Sequence, residues 1–164
     1  MRSLVSALPF MDHADAFRVK VDATRIASVD AFAHAFLRKP PPWIAAAMRT
    51  RDAVVGLFGL KKSSAAPSTL PPSGDIAPGA RAGIFRVIDR TDDEILLGED
   101  DRHLDFRVSL LYEREPESDV AFVTVSTVVR FHDVLGRAYF LPVRPVHGLV
   151  VPAMMRSALE HAPA

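Results

Sequence analysis

The sequence contains no cysteine, no excess charge of either sign and no long apolar run. The absence of cysteine excludes disulfide bonds, a thiol nucleophile and any thiolate metal site. Because 20 basic residues balance 20 acidic ones, no overall electric field favours binding to nucleic acid or to an anionic membrane. No apolar run approaches the roughly 20 residues of a membrane-spanning helix. We therefore expect a cytoplasmic protein without a nucleic-acid or membrane partner.

The composition is that of a folded domain. Hydrophobic residues make up 49% of the 164 residues, which is enough to form a core. The length is that of one domain. Prolines, serines and alanines are concentrated between residues 61 and 81. We expect a single domain over residues 1–164, with a proline-rich loop at 61–81 that is long enough to be mobile or to act as a lid.

The first half of the chain predicts one strand and two helices. Apolar and charged residues alternate from Ala16 to Asp22, as in a half-buried strand. Ser28 can cap a helix that runs to Lys39. The prolines at positions 40–42 end this helix, and the last of them can start a second one. Trp43 is expected to anchor the second helix in the core.

The second half predicts an antiparallel sheet followed by a helix. Short polar turns separate four alternating segments, so neighbouring segments should pair antiparallel. After Gly136 the chain should pass Pro142 and Pro145 and enter a last helix that ends near Leu159. The four strands are expected at Gly83–Asp89, Glu94–Gly98, His103–Tyr112 and Val120–His132.

Three parts of the sequence carry a resemblance to a known family. They are Pro41-Pro42-Trp43, the run from Leu97 to Val108, and Gly136-Arg137-Ala138-Tyr139 followed by Arg144-Pro145-Val146-His147. On these residues the chain resembles the bacterial family called domain of unknown function 2867. The resemblance implies an α+β fold with a curved antiparallel sheet, two N-terminal helices and a long C-terminal helix. This arrangement is similar to the helix grip of the START-like, or pollen-allergen-like (SRPBCC), superfamily.

The resemblance also bears on the strand count and on cofactors. A full helix grip has more strands than the five predicted here, so either a further strand lies between Pro67 and Ala80 or the sheet is shorter. Members of the family also occur fused behind a dinucleotide-binding reductase domain. This chain has no strand-linked GxGxxG motif, so no nicotinamide chemistry follows from the likeness.

The clearest chemical pattern is a polar face on two neighbouring strands. His103, Asp105 and Arg107 alternate with apolar residues on one strand, and Arg130 and His132 do so on the next. Two interpretations are open. The face is either the solvated side of the sheet or the lining of a cavity under the last helix. In a cavity the arginines need an anionic partner, either Asp105 or a ligand carboxylate.

The same face raises the question of a metal. His103, Asp105 and His132 offer the two imidazoles and one carboxylate of a known type of iron site. Arg107 and Arg130 on the same face would repel a cation. We therefore expect no metal and no other cofactor.

The last helix supplies further candidates. Arg144 and His147 are three residues apart and share a helical face. If that face lines a cavity, His147 is a candidate general acid or base, because histidine titrates near neutral pH. Otherwise it is a helix-end histidine bonded to a carbonyl. His103 and Asp105 are the other catalytic candidates, and Tyr139 can donate a hydrogen bond to a ligand.

The expected function is the binding of an apolar or amphipathic acid in an internal cavity. One alternative is a cyclase- or dehydratase-like enzyme that moves protons through histidine or aspartate, by analogy of fold alone. Another is a ligand-free module that docks a partner protein, such as a separate reductase. The sequence leaves open whether the protein is an enzyme, and whether it is a monomer or a homodimer. The candidate ligand contacts are Arg107, Arg130, His132, Tyr139 and Arg144, with an arginine as the anchor.

Overall fold

Three helices and six strands make up the described part of the chain. The computed structural model describes residues 11–57 and 68–161, except for the side chains of residues 50–57. Residues 61–67 of the predicted loop lie outside the described part. The predicted α+β class and long final helix are confirmed. In chain order the elements are β1 (His13–Asp22), α1 (Val29–Arg38), α2 (Pro42–Leu57), β2 (Arg81–Ala82), β3 (Phe85–Arg90), β4 (Glu94–Asp100), β5 (Leu104–Arg114), β6 (Val120–Phe131) and α3 (Val134–His161).

The strands form one curved antiparallel sheet in the order β1-β6-β5-β4-β3-β2. Strands β2 to β6 follow one another as a meander, and β1 joins the sheet beside β6, with Val19 opposite Val123. Apolar side chains from one side of the sheet, among them Val19, Leu110 and Val125, pack into the main core with residues of α1 and α3. We call this side the inner face and the opposite side the outer face.

Helix α1 lies in the core and ties the loop before β2 to the sheet. The Ser28 hydroxyl caps it by accepting a hydrogen bond from the backbone N–H of Ala31 at 3.2 Å, as predicted. Asp30 is 8% exposed and forms a bidentate ion pair with Arg90, with both N–O distances at 3.0 Å. The same carboxylate accepts the backbone N–H of Ile76 at 2.7 Å. Because Ile76 is fully buried, this part of the predicted loop is packed against the domain.

Helix α2 begins at Pro42, in the position that the proline run predicts. The expectation for Trp43 is wrong, because its side chain is 46% exposed. Ile44, the next residue, is the one that α2 buries there, at 4% exposure. One residue along a helix is a rotation of about 100°, so Trp43 and Ile44 cannot both point into the same core.

The sixth strand lies just after the segment in which it was expected. Within the described residues 68–80 there is no strand, and β2 consists of Arg81–Ala82. Gly83 adopts a left-handed backbone conformation with φ of 59°, which favours glycine. The turn at Gly83 therefore interrupts the predicted strand, and β3 begins only at Phe85.

Helix α3 begins earlier than predicted, at Val134, and runs through three prolines. The Asp133 carboxylate caps it by accepting the N–H of Gly136 at 2.9 Å. Each internal proline removes the hydrogen bond to the carbonyl four residues before it. Those carbonyls belong to Ala138, Leu141 and Gly148, which are all exposed, so water can satisfy them. Neither α3 nor any other described helix is long and apolar enough to span a membrane.

Gly136 is required by the close approach of α3 to the start of β5. A Cβ atom added at Gly136 would overlap the backbone carbonyl of His103, whereas one added at Gly148 in the same helix meets nothing within 4 Å. We expect Gly136→Ala to lower the free energy of unfolding by about 1–3 kcal/mol, the usual cost of overpacking. Gly148→Ala should be neutral or raise it by about 0.5–1 kcal/mol.

Urea unfolding of the two variants and the wild type measures both effects. Because both changes exchange glycine for alanine in one helix, the helix propensity gain is common to them. Equal stabilities of the two variants would show that the contact between Gly136 and His103 does not constrain the fold.

Candidate functional site

The predicted polar face lies on the outer side of the sheet, away from α3. The strands align as the alternation suggests, with Asp105 opposite Arg130 and Ser109 opposite Ser126. Arg107 pairs with Asp100, with an N–O distance of 2.6 Å. Arg130 is exposed. Neither arginine therefore lies beneath the final helix, and the interpretation in which this face lines a cavity there is wrong.

The histidines of this face are engaged in separate pairs. His132 Nε2 lies 2.9 Å from Asp105 Oδ2. His103 Nδ1 lies instead 2.6 Å from Oδ2 of Asp133, the residue that caps α3. The structure therefore does not bring His103, Asp105 and His132 together as one three-residue site.

Of the candidates on α3, His147 contacts an aspartate of the sheet, Asp15. Arg144 is exposed, so it does not share the inward side of the helix with His147. Tyr139 is half-buried and packs against a second hydrophobic cluster formed by Leu104, Val129 and Phe140. Residues predicted as one ligand site are thus distributed over two faces of the sheet.

His147 belongs to a polar cluster on the inner face that also contains His13 and Asp15 of β1. His147 Nδ1 lies 2.7 Å from Asp15 Oδ2, and His13 Nε2 lies 3.3 Å from the same oxygen. The side chains of His13, Asp15 and His147 are 16%, 22% and 17% exposed. The three residues each offer one ligand atom, and these atoms all lie within 4.8 Å of one another. We call these three residues the inner-face cluster.

Two buried oxygens at this cluster have no hydrogen-bond partner among the described residues. One is Asp15 Oδ1, the carboxylate oxygen that faces neither histidine, and the other is Thr127 Oγ1. Thr127 is 4% exposed and stands directly opposite Asp15 in the β1–β6 pairing. Directly opposite side chains lie on the same face of a sheet, with Cβ atoms about 4.5–5.5 Å apart. Asp15 and Thr127 can therefore each form one more hydrogen bond on the inner face.

An apolar wall borders the cluster. The ring centroid of Phe140 lies 4.9 Å from that of His13 and 5.4 Å from that of Phe131. Phe140 also packs on Leu104 and Val129. The site between the start of β1, the end of β6 and the middle of α3 therefore combines a polar end with an aromatic and aliphatic side.

His13 and Asp15 are the residues that the sequence interpretation missed. The predicted strand began at Ala16, whereas β1 begins at His13. The signal was present, because His13 and Asp15 continue the alternation that Phe17 and Val19 follow. What the sequence could not supply is the pairing of β1 with β6, which places Asp15 beside Thr127.

Two other surface features lie outside the cluster. Val134, Leu141 and Leu149 of α3 are 82%, 73% and 67% exposed, and no described residue covers them. Phe140 and Val151 of the same helix are buried. An exposed apolar surface of this kind is what a docking module would use, and docking stays a prediction. An open depression lined by Arg114 to Asp119 lies at the β5–β6 turn, at the far end of β6 from the cluster.

Comparison with sequence families places the chain. Residues 7–154 match the model of a family described as a protein of unknown function, DUF2867. The chain belongs to this family. No curated protein matches the DUF2867 chain in sequence. The family description assigns no activity.

One solved structure shows the same fold at low sequence identity. A hypothetical protein from Helicobacter pylori is similar over 99% of this DUF2867 chain and 95% of its own, with 14% identity and a TM-score of 0.52. A protein from Nitrosospira multiformis is also similar, over 93% and 97% of the two chains, with 14% identity and a TM-score of 0.49. At such identities the first of these likenesses concerns the fold alone.

The pair of Asp133 and His103 predicts a specific dependence of stability on pH. The hydrogen bond from His103 and then that from the Gly136 amide hold the pKa of Asp133 below its usual value. A carboxyl group with a lowered pKa stabilises the folded state above its unfolded-state pKa. That stabilisation is lost as the pH falls through the folded-state pKa. We expect Asp133→Ser, which keeps a capping hydroxyl but no charge, to lose less stability on acidification than the wild type does.

Urea unfolding between about pH 6 and pH 2 measures this difference. Asp133→Ala, which removes both the cap and the charge, should be the least stable of the three proteins near neutral pH. Identical changes of stability with pH in the wild type and Asp133→Ser would contradict the assignment.

Proposed function

We propose that this protein binds a small amphipathic molecule between the inner face of the sheet and α3. The polar end of the ligand contacts the inner-face cluster and Thr127, and its apolar part packs on the adjacent aromatic wall. The observation that carries the proposal is the pair of buried oxygens, Asp15 Oδ1 and Thr127 Oγ1, that have no hydrogen-bond partner within residues 11–57 and 68–161. Binding takes place in the cytoplasm of a bacterial cell, by a monomer or a homodimer.

The unpartnered oxygens indicate which ligand group fits. A buried polar group without a partner costs about 1–3 kcal/mol. A ligand that donates a hydrogen bond to Asp15 Oδ1 removes this cost for the carboxylate. Thr127 can donate or accept, so a hydroxyl or an amine on the ligand can satisfy both oxygens at once.

This ligand differs in one respect from the acid expected from the sequence. The expected anchor was Arg107, Arg130 or Arg144, and these side chains lie on the outer face or in solvent. Asp15 would repel a carboxylate at the cluster unless the ligand acid were neutralised. The proposal therefore keeps an amphipathic ligand and replaces its acid by a hydrogen-bond donor.

The order of elements supports the same location. One strand, two helices, a meander of strands and a long final helix is the arrangement that the START-like resemblance implies. We infer that the chain is a distant relative of that superfamily, in which the curved sheet and final helix enclose a cavity. This support is analogy of fold and carries no substrate.

The contact between His147 and Asp15 favours one second candidate, an enzyme that transfers a proton. An aspartate that holds one imidazole nitrogen leaves the other free for a substrate, which is the way a carboxylate orients a catalytic histidine. His147 Nδ1 is the nitrogen that faces Asp15, at 2.7 Å. Of the catalytic candidates from the sequence, His147 is the one that borders the proposed binding site.

Native mass spectrometry of gently purified protein tests the binding proposal. We expect a discrete organic molecule to accompany the wild type, and we expect Thr127→Val, which keeps the shape but removes the hydroxyl, to lose it. Arg130→Ala is the matched control on the outer face and should retain the molecule. Denaturing mass spectrometry then identifies the chemical class of what is released.

Two outcomes would count against the proposal. Retention of the same molecule by Thr127→Val and Asp15→Asn would place the binding site elsewhere. Loss from Arg130→Ala alone would restore the anchor predicted from the sequence. If a ligand is found, turnover that His147→Gln abolishes while binding persists distinguishes the enzyme from the binding protein.

A further inference from the structure

We infer that the inner-face cluster of His13, Asp15 and His147 binds one divalent first-row transition-metal ion, such as Zn²⁺. This inference shares the site with the proposed function but does not rest on it, because an ion can bind with or without an organic ligand. It departs from the sequence expectation of no metal, which was based on the outer-face histidines.

The donor set is that of a transition-metal site. Two imidazoles and one carboxylate are the protein ligands of several zinc and iron(II) sites that keep an open position for water or substrate. Zinc ligands lie about 2.0–2.2 Å from the ion, so two ligand atoms of a tetrahedral site are roughly 3.3–3.5 Å apart. The candidate atoms of the cluster all lie within 4.8 Å of one another. Small rotations of the side chains therefore bring them around one ion.

The charge around the cluster permits a cation. Among the described residues, the ion pairs of His13, Asp15 and His147 are made within the cluster, with no arginine or lysine. The outer-face pair of Asp105 and His132 is different, because Arg130 stands directly opposite Asp105. The repulsion that argues against a metal on the outer face is therefore absent from the described contacts of the inner-face cluster.

Two neighbouring side chains, Phe140 and Thr127, also support a metal ion at the cluster. Phe140 packs on the His13 ring at 4.9 Å between centroids, which restricts its rotation. Thr127 is 4% exposed, and its Oγ1 has no partner in the described part of the chain. This hydroxyl stands opposite Asp15, so it is placed to bind a water molecule on the ion. A buried hydroxyl without a partner among the described residues calls for an explanation, and an ion with its bound water supplies one.

Metal titration of the chelator-treated full chain tests the inference. We expect one Zn²⁺ per chain and a rise in the unfolding temperature, because an ion that binds only the folded state stabilises it. Asp15→Asn and His147→Gln should each weaken the affinity by at least about 100-fold, and Thr127→Val by roughly 10-fold. The matched control is Asp105→Asn with His132→Ala, which removes the same donor types from the outer face and should bind like the wild type.

The result can overturn the inference in three ways. The absence of saturable Zn²⁺ uptake by the wild type would overturn it. So would a Zn²⁺ affinity of Asp15→Asn and His147→Gln that equals the affinity of the wild type. Loss of binding in the outer-face control alone would move the site to Asp105 and His132. Because Asp15 and His147 also join β1 to α3, circular dichroism must show that each variant is folded. The absorption spectrum of Co²⁺ bound to the wild type is a second readout of the site. It can be interpreted without any variant.

The outcome is distinguishable from that of the ligand experiment. Zinc binding by protein that carries no organic molecule would support the metal site and leave the amphipathic ligand unsupported. An organic molecule that binds the metal-free protein, with no binding of Zn²⁺ by that protein, would support the amphipathic ligand and leave the metal site unsupported.

Discussion

The pairing of β1 with β6 is the constraint on which the rest of the structure depends. It joins the start of the described chain to a strand more than a hundred residues later, with His13 opposite Val129 and Asp22 opposite Val120. Because side chains alternate across a strand, a slip of one residue would move every β1 side chain to the other face. The register therefore decides both that Val19 and Val21 reach the core and that Asp15 stands beside Thr127.

The second constraint is the position of α3, which brings His147 to this strand pair. At one end the helix is held where Gly136 approaches the His103 carbonyl and where Asp133 caps the first turn. Near its other end, Ser157 donates a hydrogen bond to the backbone carbonyl of Lys39 at 2.7 Å. A helix attached at both ends to different parts of the fold has little freedom to slide. The inner-face cluster is thus assembled by long-range contacts and not by a local motif.

This explains which features the sequence could predict. The alternation in β5 and β6, the Ser28 cap and the Pro42 start depend on neighbouring residues, and the structure confirms them. The prediction that Trp43 lies in the core was wrong because a hydrophobic residue near a proline can fall on either side of a helix. The late start predicted for α3 was wrong because exposed carbonyls tolerate proline better than buried ones. His13 and Asp15 were missed because their significance depends on a strand pairing that no local pattern specifies.

The two faces of the sheet show why residue types alone do not locate the site. Each face has a histidine within hydrogen-bonding distance of an aspartate, with 2.9 Å for His132 and Asp105 and 2.7 Å for His147 and Asp15. The outer pair has a basic residue nearby, because Arg130 stands opposite Asp105 in the strand pairing. The inner pair has a second histidine, no described basic partner and a buried hydroxyl left over. Since burial makes an unsatisfied polar group costly, we base the proposal of a bound partner on the two oxygens beside His147 and Asp15 that have no partner among the described residues, and not on the pair of His132 and Asp105.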